Sequence, residues 1–271
     1  MMGADKKVPL GLTSWRLPGT TFGAPSIAAQ AGVKRLQIDV GGGSRGPVLH
    51  SAEHITTLQD HANSAGVQIT AVAVNRLNDL GINSVDSSAV ARAVDFAKMS
   101  LGTAHALGVQ TILIPSFRQS SIDTDDDLLR TVDFLRIICD EAASARIEVA
   151  TENVLTAPQL VKLLQMVGRT NLRVQGDVGN LALHGVDLPS YCEAARASLL
   201  GEWHLKDFPK SPLENCQLGA GMAEVAGAMA TLLRLKYARS FVIETDHRHA
   251  TLSEIREDIT WVQNTLTQLE R

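Results

Sequence analysis

The sequence predicts a single (β/α)8 barrel, and three observations lead to this fold class. The 271 residues are a suitable length for one large α/β barrel. Short β-type runs alternate with helix-type stretches along the whole chain, as βαβ units require. No segment rich in proline, glycine or serine divides the chain. We therefore expect residues 1–271 to form one domain, with residues 1–7 as a disordered tail.

The predicted strands are short runs rich in valine, isoleucine and leucine, which is typical of strands covered on both faces. They are residues 9–14, 35–40, 67–74, 109–114, 146–151, 172–177, 202–206 and 240–244. Eight such strands with helices between them favour a closed barrel. An open doubly wound sheet is the alternative. Its GxGxxG fingerprint is absent after the first strand, where the sequence is SWRLPGTTFG.

The stretches between the strands carry helix signals. The predicted helices are residues 88–107, 124–145, 157–167, 187–199, 222–237 and 251–270. Thr124 can cap the second of these, and the three aspartates that follow it favour the positive end of the helix dipole. Gly108 follows the first helix, where glycine commonly ends a helix. Right-handed crossovers through these helices would connect parallel strands.

The composition excludes several classes of protein. The formal net charge of −4 argues against nucleic acid as the main partner. No apolar stretch is long enough to span a membrane, and the polar start of the chain does not resemble a signal peptide. Cys139, Cys192 and Cys216 lie far apart, so a disulfide framework is not expected. These features favour a cytoplasmic protein.

Candidate metal ligands occur at the ends of the last four predicted strands. In α/β barrels, functional side chains collect where the strands end. Here those ends carry Glu152, Asp177, His204 and Glu244. Each residue alone would usually be a helix cap or a structural group. Three carboxylates buried together would repel one another, and a divalent cation would remove that repulsion. One histidine and three carboxylates suit Mn, Mg, Co or Zn, without a choice among them.

Five motifs carry a resemblance to a known family. They are TEN at 151–153, DVGN at 177–180, HLKD at 204–207, QLGAG at 217–221 and IET at 243–245. With them the chain resembles the xylose isomerase-like superfamily of sugar isomerases and epimerases. These are TIM barrels to which endonuclease IV is also related. The resemblance covers the strand order of the whole chain, but its specific motifs lie in the second half.

The resemblance implies a site and a reaction. Glu152, Asp177, His204 and Glu244 would hold one divalent metal ion, and Glu152 and Glu244 would also transfer protons. Isomerisation or epimerisation removes a C–H proton next to a carbonyl. The metal would act as a Lewis acid that stabilises the enediolate, while a carboxylate takes the proton. The resemblance therefore implies a metal-dependent isomerase or epimerase of carbohydrate metabolism, with manganese among the candidate metals. Its substrate would be a small sugar or polyol.

Further residues are expected to bind the substrate. They are Trp15, Asn153, Asn180, Lys206 and Lys210. Trp15 could stack on a sugar ring or pack in the core. Lys206 lies two residues after His204 and therefore on the same face of its strand, whereas Asp207 would turn outward or cap a loop. Lys210 lies near the position of a substrate-binding arginine in some relatives. Asn180 stands where several epimerases have a histidine, which weakens the case for a ketohexose epimerase.

Two loop segments allow more than one interpretation. The segment GGGSRG at 41–46 could bind an anion through backbone N–H groups with Arg45 nearby, or it could be an ordinary flexible turn. His247 and His249 could hold a second metal, but a solvated loop is favoured. Asp39, near the end of the second strand, occupies a region where relatives often have a glutamate.

Three other functions remain as alternatives. A lyase or dehydratase acting on a keto-inositol or related keto-sugar would begin with the same proton abstraction. A nuclease like endonuclease IV would need further histidine and glutamate ligands, but the ends of strands two to four carry Asp39, Asn75 and Ser116. A non-catalytic accessory barrel would bind no metal tightly. Barrels of this type often form homo-oligomers, although no interface can be identified from the sequence.

Overall fold

The computed structural model describes residues 7–209 and 216–270. Its eight strands form a closed barrel in sequence order, and β8 pairs with β1. The strands are β1 Leu10–Thr13, β2 Arg35–Asp39, β3 Gln68–Ala73, β4 Thr111–Pro115, β5 Glu148–Glu152, β6 Leu172–Asp177, β7 Leu199–Leu205 and β8 Ser240–Ile243. All eight pairings are parallel. The predicted (β/α)8 barrel is confirmed.

Helices connect the strands and surround the barrel. They are α1 Ala24–Gln30, α2 Ala52–Ala65, α3 Leu77–Leu80, α4 Ser87–Ala106, α5 Asp125–Ala143, α6 Ala157–Val167, α7 Val178–Leu183, α8 Leu188–Ala195, α9 Val225–Arg234 and α10 Leu252–Leu269. Short 3-10 turns follow three strands, at Ser14–Arg16, Gly43–Arg45 and Arg118–Ser120. Among the described residues, no helix is both long and apolar enough to cross a membrane.

Local sequence explains where several helices begin. Thr124 accepts a hydrogen bond from the backbone N–H of Asp127, whose carboxylate accepts one from the N–H of Thr124. The same reciprocal cap begins α6 at Thr156 and α10 at Thr251. Each cap satisfies N–H groups that the first helical turn leaves unpaired. These helices are amphipathic, and their apolar faces pack against strands that are buried almost throughout.

The largest boundary error concerns the segment before β7. The prediction extends a helix over 187–199, but α8 ends at Ala195 and β7 begins at Leu199. The run Leu199–Leu200 is equally apolar in a helix and in a strand, so periodicity does not separate the two. Gly201 has φ 78°, and the register between β6 and β7 shifts nearby. This local irregularity depends on the pairing with β6.

Candidate metal centre and catalytic site

The four predicted metal ligands meet at the carboxyl ends of β5 to β8. Each of Glu152, Asp177, His204 and Glu244 offers one ligand atom, and these atoms lie within 4.8 Å of one another. They meet because parallel strands bring their carboxyl ends to the same end of the barrel. All four residues are buried there. One imidazole nitrogen and three carboxylate oxygens are a donor set that could bind a metal ion.

The orientation of His204 suits a ligand. Its Nε2 lies 2.7 Å from Oε1 of Gln37, and Nε2 of Gln37 donates to Glu202 over 2.7 Å. Since the carboxylate of Glu202 accepts, the amide oxygen of Gln37 faces the imidazole and must accept as well. Nε2 of His204 therefore carries the proton, and Nδ1 faces the carboxylates.

The distances around Nδ1 leave space for an ion. Nδ1 of His204 is 3.3 Å from Glu244 Oε2 and 3.8 Å from the nearest oxygens of Glu152 and Asp177. The two longer distances exceed those of hydrogen bonds. Burial alone would lower the pKa of His204, but the three carboxylates outweigh it and raise that pKa to about 9. His204 therefore also carries a proton on Nδ1 at neutral pH, and a metal ion that binds at Nδ1 would displace this proton.

Lys206 is a second cation, after protonated His204, that lies beside the carboxylates. Its Nζ is 3.0 Å from both Asp177 Oδ2 and Glu244 Oε2, and the residue is 4% exposed. Burial raises the pKa of Asp177 and raises that of Glu152 to about 7. For Glu244 burial acts in the same direction, but Lys206 and His204 overcome it and hold the pKa well below its usual range. Two cations, His204 and Lys206, thus lie among three carboxylates, and burial favours the protonated form of two of these carboxylates.

Glu152 and Glu244 have different neighbours. Nδ2 of Asn180 donates to Glu152 Oε1 over 3.1 Å. Nε1 of Trp15 donates to Glu244 Oε1 over 2.9 Å, and Nε of Arg16 lies 3.5 Å from the same oxygen. The Trp15 ring also meets the His204 ring edge-on, with centroids 6.1 Å apart. In each carboxylate the second oxygen, Oε1, is the one that does not face His204, and these hydrogen bonds hold it in position.

The cluster opens into a cavity of about 760 Å³. Its lining includes Trp15, Glu152, Asn180, Lys206 and Glu244. The volume lies within the usual range for small-molecule sites. Trp15, Asn180 and Lys206, which are expected to contact substrate, are therefore in place to do so.

The other two predicted substrate-binding residues are Asn153 and Lys210. Asn153 is buried and does not line this cavity. Its amide bonds the side chain of Thr151 and the backbone N–H of Leu155. Its polar side-chain atoms thus shape the turn after β5, and a contact of Asn153 with substrate stays a prediction. Lys210 lies outside the described residues.

Asp207 organises the loop that carries the QLGAG motif. Its buried carboxylate accepts hydrogen bonds from the backbone N–H groups of Gly219, Gly221 and Ala223. A Cβ atom at Gly221 would overlap this carboxylate, so the approach requires glycine. The prediction that Asp207 caps a loop is confirmed.

The expectation of a solvated loop is wrong for His247. The residue is 4% exposed, and its Nε2 lies 3.1 Å from Oδ2 of Asp258 on α10. The same aspartate accepts a hydrogen bond from the N–H of Leu218. Asp258 faces inward and links the loop after β8 to the loop after β7. His249, in contrast, lines the cavity.

Gln37 and Glu202, which support His204, are not among the site residues predicted from the sequence. The available signal was a polar residue within each predicted strand, two positions from Asp39 and His204 respectively, and hence on the same face.

We expect Gln37→Leu to weaken metal binding by roughly 10- to 100-fold, because His204 loses the acceptor that keeps the proton on Nε2. Titration calorimetry with Mn²⁺ measures this affinity.

Thr70→Val is the matched control for this variant. Thr70 also donates to Glu202 over 3.1 Å, but it has no hydrogen bond to His204. We expect its metal affinity to stay close to that of the wild type. Equal losses in both variants would contradict the orienting role of Gln37.

The fold and the cluster together define a class of protein. A closed parallel barrel with a cluster of buried ionisable groups at the carboxyl ends of its strands is the architecture of a barrel enzyme, and here the cluster could hold a metal ion. The sequence comparison then places the chain within that class. Residues 25–265 match the family described as "Xylose isomerase-like TIM barrel". The chain belongs to this family, and the resemblance noted from the sequence is confirmed.

A named relative supports the enzyme class. The chain is 33% identical over 259 residues to a 2-epi-5-epi-valiolone 7-phosphate 2-epimerase from Actinoplanes sp. (strain ATCC 31044 / CBS 674.73 / SE50/110). The match covers 94% of this chain and 93% of that protein. The prediction of an enzyme of the isomerase and epimerase class is confirmed.

Solved structures share the fold. An IOLI protein with a bound zinc atom superposes with a TM-score of 0.80 at 15% identity, covering 96% of this chain and 98% of that one. D-psicose 3-epimerase from Clostridium cellulolyticum H10, with D-tagatose, has a TM-score of 0.74 at 17% identity over 95% and 99%. At these identities the superpositions support the barrel architecture.

Proposed function

We propose that this protein is a divalent-metal-dependent epimerase that acts on a keto-sugar or a related cyclic polyol ketone. The observation that carries the proposal is the cluster of Glu152, Asp177, His204 and Glu244 at one end of a substrate-sized cavity. These residues would hold one divalent ion. When bound, the ion would supply Lewis-acid polarisation of the substrate carbonyl.

Glu152 and Glu244 are the proposed proton-transfer pair. Both carboxylates line the cavity, and they come from strands three places apart in the barrel. A substrate carbon between them would lose a proton to one carboxylate and regain one from the other on the opposite face, which inverts its configuration. Asn180 and Trp15 hold the second oxygen of each carboxylate and so orient the pair.

Lys206 and Asp39 would complete the inner contacts. Lys206 is buried beside Asp177 and Glu244, and its ammonium group would stabilise negative charge on a substrate oxygen. Asp39 lines the same cavity and is 3% exposed. Burial raises the pKa of Asp39 to about 6, so its carboxyl can exchange hydrogen bonds with a sugar hydroxyl in either protonation state.

The named relatives support this substrate class. The relative from Actinoplanes carries in its name a phosphorylated cyclic polyol ketone, and the structure from Clostridium contains D-tagatose, a keto-sugar. A lyase acting on a keto-inositol would begin with the same proton abstraction, and it remains the alternative prediction. The two differ in product, because only the lyase eliminates a hydroxyl group.

Metal analysis and isotope exchange test the proposal. We expect the purified protein to bind about one divalent ion per chain and to lose activity after chelation, with recovery on adding Mn²⁺. In D₂O, candidate keto-sugars and keto-cyclitols should acquire deuterium at one carbon next to the carbonyl. An epimeric product supports the proposal. A dehydrated product identifies the lyase, and absence of both metal and exchange contradicts enzymatic function.

A further inference from the structure

Three arginines surround one aspartate beside the cavity. Arg45, in the turn after β2, donates to both carboxylate oxygens of Asp79 through its two terminal guanidinium nitrogens. Arg76 lies 3.4 Å from Oδ2 of the same carboxylate, and Arg118, in the turn after β4, lies 3.3 Å from Oδ1. Arg45 and Arg118 also line the cavity that Glu152 and Glu244 line. We call these three residues the arginine cluster.

The arginine cluster has more positive charge than its partner can neutralise. Arg45 is the main cause of the lowered pKa of Asp79, so this carboxylate is ionised at neutral pH. One negative charge then faces three guanidinium groups. Asp39, which is deeper in the cavity and interacts with Arg45, adds at most one more negative charge. A positive excess remains within a protein whose formal net charge is −4.

Two backbone positions beside the arginine cluster have positive φ angles. Arg118 has φ 53°, a left-handed conformation that residues other than glycine rarely adopt. Gly43 has φ 63°, and a Cβ atom there would overlap the guanidinium group of Arg76. Backbone strain at a residue such as Arg118 often marks a functional site. The absence of a side chain at Gly43 leaves room for the guanidinium group of Arg76 beside Asp79.

Charge is distributed unevenly within the cavity. Its carboxylates, Asp39, Glu152 and Glu244, are each at most 8% exposed. The side chain of Arg118 is 69% exposed, and that of Arg45 is 18% exposed. The carboxylates therefore lie at the inner end of the cavity, where Lys206 and Arg16 also line it, whereas Arg118 lies at its exposed side. An anionic group of a ligand at the outer side of the cavity would meet Arg45 and Arg118.

We propose that the arginine cluster binds the phosphate group of a phosphorylated keto-sugar or keto-cyclitol. This assignment rests on the proposed epimerase function and specifies its substrate class. A phosphate monoester carries close to two negative charges and accepts several hydrogen bonds in the geometry that guanidinium groups provide. Arg45 and Arg118 contact the phosphate from the cavity wall, while Arg76 and Asp79 hold them in position.

Inorganic phosphate is the probe for this subsite. We expect calorimetric titration of the full-length protein to show phosphate binding both with Mn²⁺ present and after chelation with EDTA. In Arg118→Gln and Arg45→Gln the dissociation constant should rise by about tenfold or more, as the loss of a charge-assisted hydrogen bond implies. Acetate, with a single negative charge and two oxygens, should bind more weakly than phosphate.

Arg196→Gln is the matched control. Its side chain is 71% exposed and, like that of Arg118, pairs with one acidic residue. We expect phosphate affinity to be unchanged in this variant. Phosphate binding that disappears with EDTA would locate the anion on the metal and overturn the proposal. So would equal affinities in wild type, Arg118→Gln and Arg45→Gln.

The two proposals fail in different ways. Deuterium exchange on an unphosphorylated keto-sugar, without phosphate binding, would leave the epimerase function standing and refute the subsite. Phosphate binding at the arginine cluster, without metal binding or exchange on any candidate substrate, would support the subsite and refute the epimerase function.

Discussion

Replacing Glu244 or Glu152 with glutamine is expected to lower kcat by about 10³-fold with the barrel still folded. Glutamine keeps the shape of the side chain, and at position 244 it can still accept the hydrogen bond from Nε1 of Trp15. It cannot accept a proton from carbon. General base catalysis contributes about 10²- to 10⁴-fold, and the loss of a charged metal ligand adds to the deficit. Turnover and circular dichroism measure the two effects.

Isotope exchange separates the two carboxylates. Each single variant retains a carboxylate on one side of the substrate, so residual deuterium uptake should favour one epimer in Glu152→Gln and the other in Glu244→Gln. Glu257→Gln is the control, because this exposed residue of α10 forms, within the described part of the chain, a single long side-chain hydrogen bond, which it accepts from Gln217. Near-normal turnover in either site variant would contradict the proton-transfer assignment.

Replacing Lys206 with methionine is expected to destabilise the metal-free protein by about 3–5 kcal/mol, the usual effect of removing one partner of a buried ion pair. Without the ammonium group, Asp177 and Glu244 lose the cation that lies 3.0 Å from each. His204 and the partly exposed Arg16 then remain as the cations beside the carboxylates. Urea unfolding of the chelated protein measures the change in the free energy of unfolding.

A divalent ion should reverse most of this loss. Because the ion supplies the missing positive charge and no longer competes with Lys206, we expect Lys206→Met to bind Mn²⁺ more tightly than the wild type. Its turnover should nevertheless fall, since the ammonium group no longer stabilises charge on the substrate. Equal stability of the metal-free variant and the metal-free wild type would contradict this account.

Lys162→Met provides the comparison. Lys162 also forms an ion pair of 3.0 Å, with Asp125, but the two side chains are 43% and 77% exposed. Water screens this pair, so its removal should change the free energy of unfolding by less than about 1 kcal/mol. The contrast with Lys206 measures the effect of burial at equal separation.

Much of the fold could be predicted because the deciding signals are local. The predicted strand 172–177 and helix 157–167 coincide with β6 and α6. Runs of branched apolar residues, capping residues and prolines in a first turn act within a few positions of the chain. The ligand set was accessible for a related reason. Consecutive parallel strands end at the same side of a barrel, so strand order alone brings Glu152, Asp177, His204 and Glu244 together.

Contacts between distant segments could not be predicted. Gln37 orients His204 across 167 residues of sequence, and the alternation that places Gln37 on the inner face of β2 does not identify His204 as its partner. The partners of Asp79 come from the turn after β2 and the turn after β4, so Arg45 and Arg118 show no common pattern. His247 has the sequence surroundings of an exposed loop, but Asp258 holds it in the interior.

The sequence by itself determined the class of fold, the number and order of its strands and the four residues at their ends. Those properties follow from short-range periodicity and from the geometry of parallel strands. Only the tertiary structure decided which nitrogen of His204 faces the carboxylates, that Asn153 shapes a turn, and that three arginines share one aspartate at the cavity. Hydrogen bonds and charges act over a few ångströms in space, whereas the residues that supply them here are separated by up to 167 positions in the chain.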